Sequence, residues 1–179
     1  MILLDTNQFE IRQTEEKGRG VFVTSEISKG TVIADYLGTI WDLDDPNMPE
    51  YTELYEMWLY ENLAILPDMQ TPGAYLINHS CNPNCAMYPY MGHIVMYATR
   101  DIKVGEELTY NYHFCPDTEG LPECRCKDSN CRGDWRVTEE ECKKYCDFVE
   151  MVVRPYVESG EIKVGTTLKK LHEYPIIND

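Results

Sequence analysis

The octet NHSCNPNC, residues 78–85, sets two cysteines, three asparagines and a histidine around one proline. A core strand has no use for that mixture, because Asn and Pro favour turns and a buried polar side chain costs free energy unless it finds a partner. The octet follows the apolar run AYLI, residues 74–77, so the chain leaves a buried stretch and turns sharply while presenting polar and sulfur side chains. That makes it a candidate site.

Sulfur partners lie downstream. ECRCKDSNC, residues 123–131, supplies Cys124, Cys126 and Cys131 in a C-x-C-x4-C arrangement. The stretch is polar and turn-rich, and cannot hold itself folded by apolar burial. Three converging thiolates suit a tetrahedral zinc ion, which needs a fourth ligand from elsewhere. Cys85, among the turn-formers at the end of the octet, is the expected fourth, whereas Cys81, nearer the apolar run, is expected to be packed. Cys115 has no spacing partner and defaults to an unligated thiol.

The chain has 179 residues, 43% of them apolar, enough for one core domain or a core domain with a small appendage. Its net charge is −15, and no Lys or Arg occurs between Lys29 and Arg100, while nine acidic residues fall between Asp35 and Asp68. Such a surface does not grip phosphate backbones, so no direct nucleic-acid binding is expected and basic partners are favoured. The opening MILLDTNQFE has no cationic start and its apolar run stops at Asp5, so it does not read as a signal peptide. Residues 74–99, the least charged stretch, are broken by Pro83, Pro89 and His79, which excludes a membrane span there. Eight cysteines in that context favour metal binding or free thiols over a disulfide framework.

Period-two and β-branched segments such as GVFVTS, TVIADYLGTI, HIVMYATRDI and ELTYNYHF predict a mostly β domain. Between Trp41 and Gly73, Tyr51, Leu54, Tyr55, Trp58 and Leu59 stand at helical spacing after Pro49, which predicts a short insert helix. Its end stays open, because MWLY-EN-LAIL also reads as two short strands around a turn. Beyond Arg132, Thr138 and Glu141 form a capping box. Cys142, Tyr145, Cys146, Val149, Val153 and Tyr156 then make one apolar helical stripe, with both cysteines as core residues rather than ligands. Gly160 and Gly165 break the chain before a short polar tail.

Four motifs in order, KGRGVF (residues 17–22), DYLG (35–38), the octet, and GEELTYNYHF (105–114), followed by the cysteine trio, resemble the SET-domain protein lysine methyltransferases with a post-SET zinc motif, in the pattern of the branch that methylates histone tails. The resemblance covers about residues 11–134. It implies a mainly β, β-clip-like SET fold in which the octet and ELTYNY cross as a pseudoknot, with a post-SET zinc loop, to which the residue pattern adds the short insert helix and the C-terminal helix. The corresponding division is a SET domain over 9–114 with its insert at about 42–73, a zinc-binding segment over 115–134 and a helical extension over 135–179.

Methyl transfer from S-adenosylmethionine to lysine is an in-line displacement that needs alignment and a neutral amine. By the resemblance, Tyr112 is the catalytic tyrosine, Tyr36 a second channel tyrosine, and Tyr110 the position whose hydroxyl limits the product to mono- or dimethyllysine. Tyr110 and Tyr112 flank Asn111 on a strand, so both rings project to one face. Lys17, Gly18, Arg19 and Gly20 match the cofactor turn, where glycine lets the backbone approach closely. Asn78 and His79 match positions that hold the cofactor, and Cys85 with Cys124, Cys126 and Cys131 the zinc site. Two departures stand out: the family usually has Arg at Tyr75 and Glu at Thr39.

The implied cofactors are S-adenosylmethionine and zinc, and the implied substrate is a basic protein segment such as a histone tail. The expected location is intracellular, at the nucleus or chromatin if the source is eukaryotic or the enzyme is directed at a host. A catalytically silent SET domain that binds peptide or cofactor is the alternative. The extension either helps cover the lysine channel or forms a homodimer contact through its helix.

Overall fold

Ten short strands and one long helix account for the regular structure among the described residues of the computed structural model, which are 1–49 and 55–178. In chain order the elements are β1 (Phe9–Gln13), β2 (Arg19–Val23), β3 (Val32–Asp35), β4 (Gly38–Asp42), β5 (Met57–Tyr60), β6 (Leu63–Pro67), β7 (Asn78–His79), β8 (Cys85–Tyr90), β9 (His93–Ala98), β10 (Thr109–Tyr110) and α1 (Glu139–Glu158), with a 3-10 turn at Ala74–Leu76. They make small sheets: β1 with β2, β3-β9-β8, β4-β6-β5, and the parallel pair β7 with β10.

Burial explains the arrangement. In β9, the central strand of its sheet, Ile94, Val95 and Met96 are fully buried, as expected for a strand covered on both faces. Val21, Val23, Ile33, Ile40, Leu59, Ile65, Ile77, Ile102 and Leu108 join the same core. The β8–β9 hairpin turns through Met91 (φ 49°) and Gly92 (φ 77°), the positive-φ pair that matches the twist of paired strands. A side chain at Gly92 would also run into Ile162 and Tyr156, so the tip of this hairpin touches the C-terminal extension.

The insert differs from the helical expectation. Residues 50–54 lie outside the described residues, but Met57–Tyr60 is a strand that pairs with β6 across a turn at Glu61, which has a φ of 46°. Met57 and Leu59 are buried while Trp58 and Tyr60 are partly exposed, a period of two. The two-strand reading of MWLY-EN-LAIL therefore holds here. The Trp58 indole closes the turn by donating to the Glu61 carbonyl at 2.8 Å.

The expected crossing of the octet and ELTYNY is present. Thr109 pairs with Asn78 and Tyr110 with His79, and Ser80 N–H donates to the Tyr110 carbonyl at 3.1 Å. The buried Asn84 pins the two pieces together: its amide donates to the Glu107 carbonyl at 2.8 Å, and its oxygen accepts the Thr109 N–H at 2.9 Å.

Cys85 departs from the sequence reading. The turn ends at Asn84, and Cys85 is already the first residue of β8, paired with Ala98 and fully buried. Its thiol donates to the Asn84 side-chain amide oxygen at 3.4 Å, burial pushes its pKa up to about 12, and its sulfur is not among those gathered around Cys124, Cys126 and Cys131.

Helix α1 begins with the predicted capping box between Thr138 and Glu141 and lies against β5 and β8. Val149 and Val153 are fully buried on its inner face, each stabilising by roughly 1.5–3 kcal/mol. Tyr145 donates to the Met87 sulfur at 3.5 Å, and the Phe148 ring packs 5.6 Å from Tyr88. The segment after Gly165 is no free tail. Thr166 and Leu168 exchange backbone hydrogen bonds with Ile40 and Gly38 at 2.8 and 2.9 Å, so the extension adds a short edge to β4. No helix among the described residues is long and apolar enough to cross a membrane.

Asn84→Ala should lower the unfolding free energy by about 3 kcal/mol, because it leaves a buried N–H and a buried carbonyl unpaired. Urea denaturation checks this, and a loss below about 1 kcal/mol would show that the crossing does not depend on this amide.

Candidate active site and cysteine cluster

A cavity of about 340 Å³ opens beside the crossing, and several of the expected residues line it: Lys17, Gly18 and Arg19 on one wall, Asn78 and His79 on the crossing, and Tyr112 beyond them. Gly18 has a φ of 72°, a conformation that favours glycine, and its carbonyl accepts the Thr14 N–H at 2.7 Å to close the β1–β2 turn. Gly20 stands behind the wall. A Cβ there would lie 2.5 Å from Glu107 Oε1 and 2.9 Å from Asn78 Nδ2, so glycine makes room for the pair those atoms form.

That pair organises the cofactor-side wall. Asn78 Nδ2 donates to Glu107 Oε1 at 2.7 Å and to the Arg19 carbonyl at 3.1 Å, while Lys17 Nζ meets Glu107 Oε2 at 2.5 Å. Glu107 thus ties the glycine turn to the octet, and the Lys17 ammonium is engaged with it. The sequence reading passed over Glu107, although its place two residues before Thr109 in GEELTY could have flagged it.

Aromatic rings form the far wall. Tyr112 packs 4.9 Å from Tyr110, 5.2 Å from Trp135 and 5.2 Å from His79, and Phe114 stacks 6.1 Å from Trp135. Tyr36 donates its hydroxyl to the Tyr55 carbonyl at 2.7 Å, and Tyr55 lines the cavity with Tyr75. Burial raises the Tyr112, Tyr110 and Tyr36 phenols well above their ordinary range, with neighbouring phenols adding to it for Tyr110 and Tyr36. At neutral pH all three are therefore O–H dipoles and not bases. Trp135 was also missed, since a lone Trp just beyond a cysteine trio has no spacing signature.

His79 carries no charge either. Burial first, then the Arg132 and Lys17 charges, lowers it to about 4. Its Nδ1 accepts the Tyr112 N–H at 3.3 Å, which leaves the proton on Nε2, and Nε2 faces the Cys81 sulfur at 3.4 Å. The histidine therefore links the crossing to the cysteine cluster.

The cluster consists of Cys81, Cys124, Cys126 and Cys131, whose sulfurs all lie within 4.8 Å of one another. Cys81 occupies the place expected for Cys85. It sits on the turn directly after β7, partly exposed, so its sulfur can leave the core and join the trio. Four sulfurs around a zinc ion at about 2.3 Å stand about 3.8 Å apart. Cys81 lies 3.8 Å from Cys124 and 3.9 Å from Cys131. Backbone N–H groups of Arg132 and Gly133 point at the Cys81 and Cys131 sulfurs at 3.5 and 3.4 Å, which favours thiolates. The donor set is compatible with tetrahedral zinc.

The two departures have local explanations. Tyr75 donates to the Thr71 carbonyl at 3.1 Å and packs edge-on to Tyr55, a contact that belongs to a ring rather than a guanidinium. Thr39 faces Thr167 of the added edge, oxygen to oxygen at 3.0 Å.

Comparison with known proteins agrees with this geometry. The SET domain family model matches residues 18–113. The histone-lysine N-methyltransferase, H3 lysine-36 specific, of Mycosarcoma maydis is 35% identical over 135 residues, covering 69% of this chain and 14% of that protein. The histone-lysine N-methyltransferase ash1 of Drosophila melanogaster is 34% identical over 134 residues, covering 67% and 6%. The chain thus spans a small part of these relatives' length. The crystal structure of KRYPTONITE in complex with mCHG DNA and SAH superposes with a TM-score of 0.58 at 25% identity, over 71% of this chain and 28% of that one. A second KRYPTONITE structure, with mCHH DNA, an H3(1-15) peptide and SAH, matches equally well, with a TM-score of 0.58 at 26% identity over 70% of this chain and 29% of that one. By sequence, crossing and fold, the chain belongs to the SET-domain family.

Proposed function

We propose that this chain is a protein-lysine N-methyltransferase that uses S-adenosylmethionine and acts on a basic, histone-tail-like segment. The observation that carries the reading is one cavity with a glycine turn and Asn78 on one side and the Tyr112 phenol, backed by Tyr110 and Tyr36, on the other. The relatives are named as histone-lysine methyltransferases, and both matched KRYPTONITE structures contain SAH, one with a histone H3 peptide.

In this reading residues 9–114 are the catalytic domain, 115–134 the zinc-binding segment and 135–179 an extension that packs on the body. Lys17, Gly18, Arg19 and Gly20 with Asn78 and His79 hold the nucleotide, and Trp135 closes over it. When bound, the sulfonium supplies the methyl group and a positive charge that disfavours an ammonium beside it. The chain's own part is alignment. The aromatic walls exclude water and face a cationic lysine stem, and the Tyr112 hydroxyl is a fixed dipole beside the reacting atoms. The lining Tyr112 and His79 are neutral and serve as no strong base, so the amine sheds its proton before attack.

The Tyr110 hydroxyl limits the product to mono- or dimethyllysine. A zinc ion held by Cys81, Cys124, Cys126 and Cys131 fixes the loop that carries Trp135 and takes no part in transfer. The acidic run between Asp35 and Asp68 draws in the basic segment, and the place of action is chromatin.

Transfer of labelled methyl groups to a histone H3 peptide tests the reading, with product mass spectrometry. Tyr112→Phe should lower kcat by about 10²-fold or more while still binding cofactor. No transfer by the wild-type chain to any histone, with cofactor binding intact, would instead favour a silent SET domain. Tyr110→Phe should shift the product toward trimethyllysine, and efficient trimethylation by the wild type would contradict the assigned limit. Cys81→Ser should lose bound zinc, whereas Cys85→Ala should keep one ion per chain; the opposite pattern would restore Cys85 as the ligand.

A further inference from the structure

Three cysteines outside the proposed zinc site meet at the base of the zinc-carrying loop. Cys115 follows Tyr112, His113 and Phe114, Cys142 lies in the first turn of α1, and their sulfurs are bonded. Cys146 stands one turn further along the helix, its sulfur 4.0 Å from that of Cys142, and all three sulfurs lie within 4.8 Å of one another. None of the three is fully buried. The bond overturns the expectation that Cys115 is unligated and Cys142 merely packed. Among the described residues no fourth metal-binding side chain joins the group, so a second metal ion has no complete donor set here.

A third sulfur held in contact with a disulfide on a rigid helix is placed for thiol–disulfide exchange. Positions four apart on a helix have Cα atoms about 6 Å apart, within the span of a disulfide. Cβ atoms four apart on an intact helix, however, stand about 5–6 Å apart, beyond the roughly 3.5–4.5 Å a disulfide spans, so bonding Cys142 to Cys146 loosens the first turn of α1, where Cys142 lies.

We propose that Cys115, Cys142 and Cys146 form a reversible redox site: the Cys115–Cys142 bond clamps the base of the zinc-carrying loop, and thiols of the glutathione class release it. In release, a glutathione thiolate attacks one sulfur of the bond and the other leaves as a thiolate that takes up a proton. A second glutathione then resolves the mixed disulfide, so two glutathiones are oxidised to glutathione disulfide and the protein gains two thiols. In internal exchange the Cys146 thiol gives its proton to solvent and attacks Cys142, the bond to Cys115 breaks, and Cys115 takes up a proton. Burial, then Asp147, raises the Cys146 thiol above its ordinary value. It rests protonated and acts as a store, not as a fast oxidoreductase thiol.

The clamp bears on the cavity. The 27-residue span it closes carries three of the four cluster cysteines and Trp135, whose ring stands 5.2 Å from Tyr112. The inference rests on the proposed chromatin location in one respect: in a reducing compartment a permanent structural disulfide is the exception and a reversible one the norm.

The test equilibrates the zinc-loaded full chain in glutathione buffers from oxidising to reducing, quenches with acid, and maps the cysteines by differential alkylation and peptide mass spectrometry. The Cys115–Cys142 cross-link should form in oxidised buffer and vanish reversibly in reduced buffer, with zinc constant at one per chain. Cys115→Ser should instead yield a Cys142–Cys146 cross-link. Methyl transfer to an H3 peptide should differ by about tenfold between the two states of the wild type, and Cys115→Ser, which keeps the zinc cysteines, should not respond. Free thiols in every buffer, a bond that survives the most reducing one, a second zinc on reduction, or equal rates in both states would each overturn the proposal. The mapping needs no methyl transfer, so an inactive chain would defeat the function proposed above and leave the bond tested.

Discussion

Two rungs of parallel pairing, Asn78 with Thr109 and His79 with Tyr110, hold together everything that this chain uses as a site. Segments some thirty residues apart must meet, and closing such a loop costs conformational entropy before any contact repays it. The repayment is side-chain bonding in a dry place. Asn84 and His79 both accept backbone N–H groups from the partner segment, and both are buried. From that junction Asn78 reaches the glycine turn through Glu107, Tyr110 and Tyr112 form the aromatic wall, and Cys81 swings out to the cysteine trio. Cofactor wall, reaction wall and cysteine cluster thus share one crossing.

Much of this was legible in the residues. The octet's polar turn, the paired tyrosines and the capping box each carry a local reason for their position, and each is where that reason puts it. The misses have a common cause. Whether Cys81 or Cys85 leaves the core depends on which residue the following strand takes as its first, a matter of register that one residue reverses. The insert failed similarly: Met57–Tyr60 satisfies both periods over four residues, and pairing with β6 decides. Glu107, Asn84 and Trp135 act only through partners distant in sequence, and no spacing rule reaches them.

The C-terminal extension is more tightly joined to the body than its polar composition suggested. Its edge on β4 places Thr167 against Thr39, and Tyr174 donates to the fully buried Asp35 at 2.9 Å, beside His93 at the same distance. A buried carboxylate needs such partners. The tail therefore completes the polar surroundings of a core residue as well as a sheet edge.

The most direct measurement is a crystal structure of this chain with S-adenosylhomocysteine and a lysine-containing histone peptide. The account predicts the nucleotide against Asn78 and the glycine turn, with its sulfur and the lysine nitrogen aligned past the Tyr112 hydroxyl. A nucleotide bound away from that cavity, or a lysine that enters without approaching Tyr112, would contradict it.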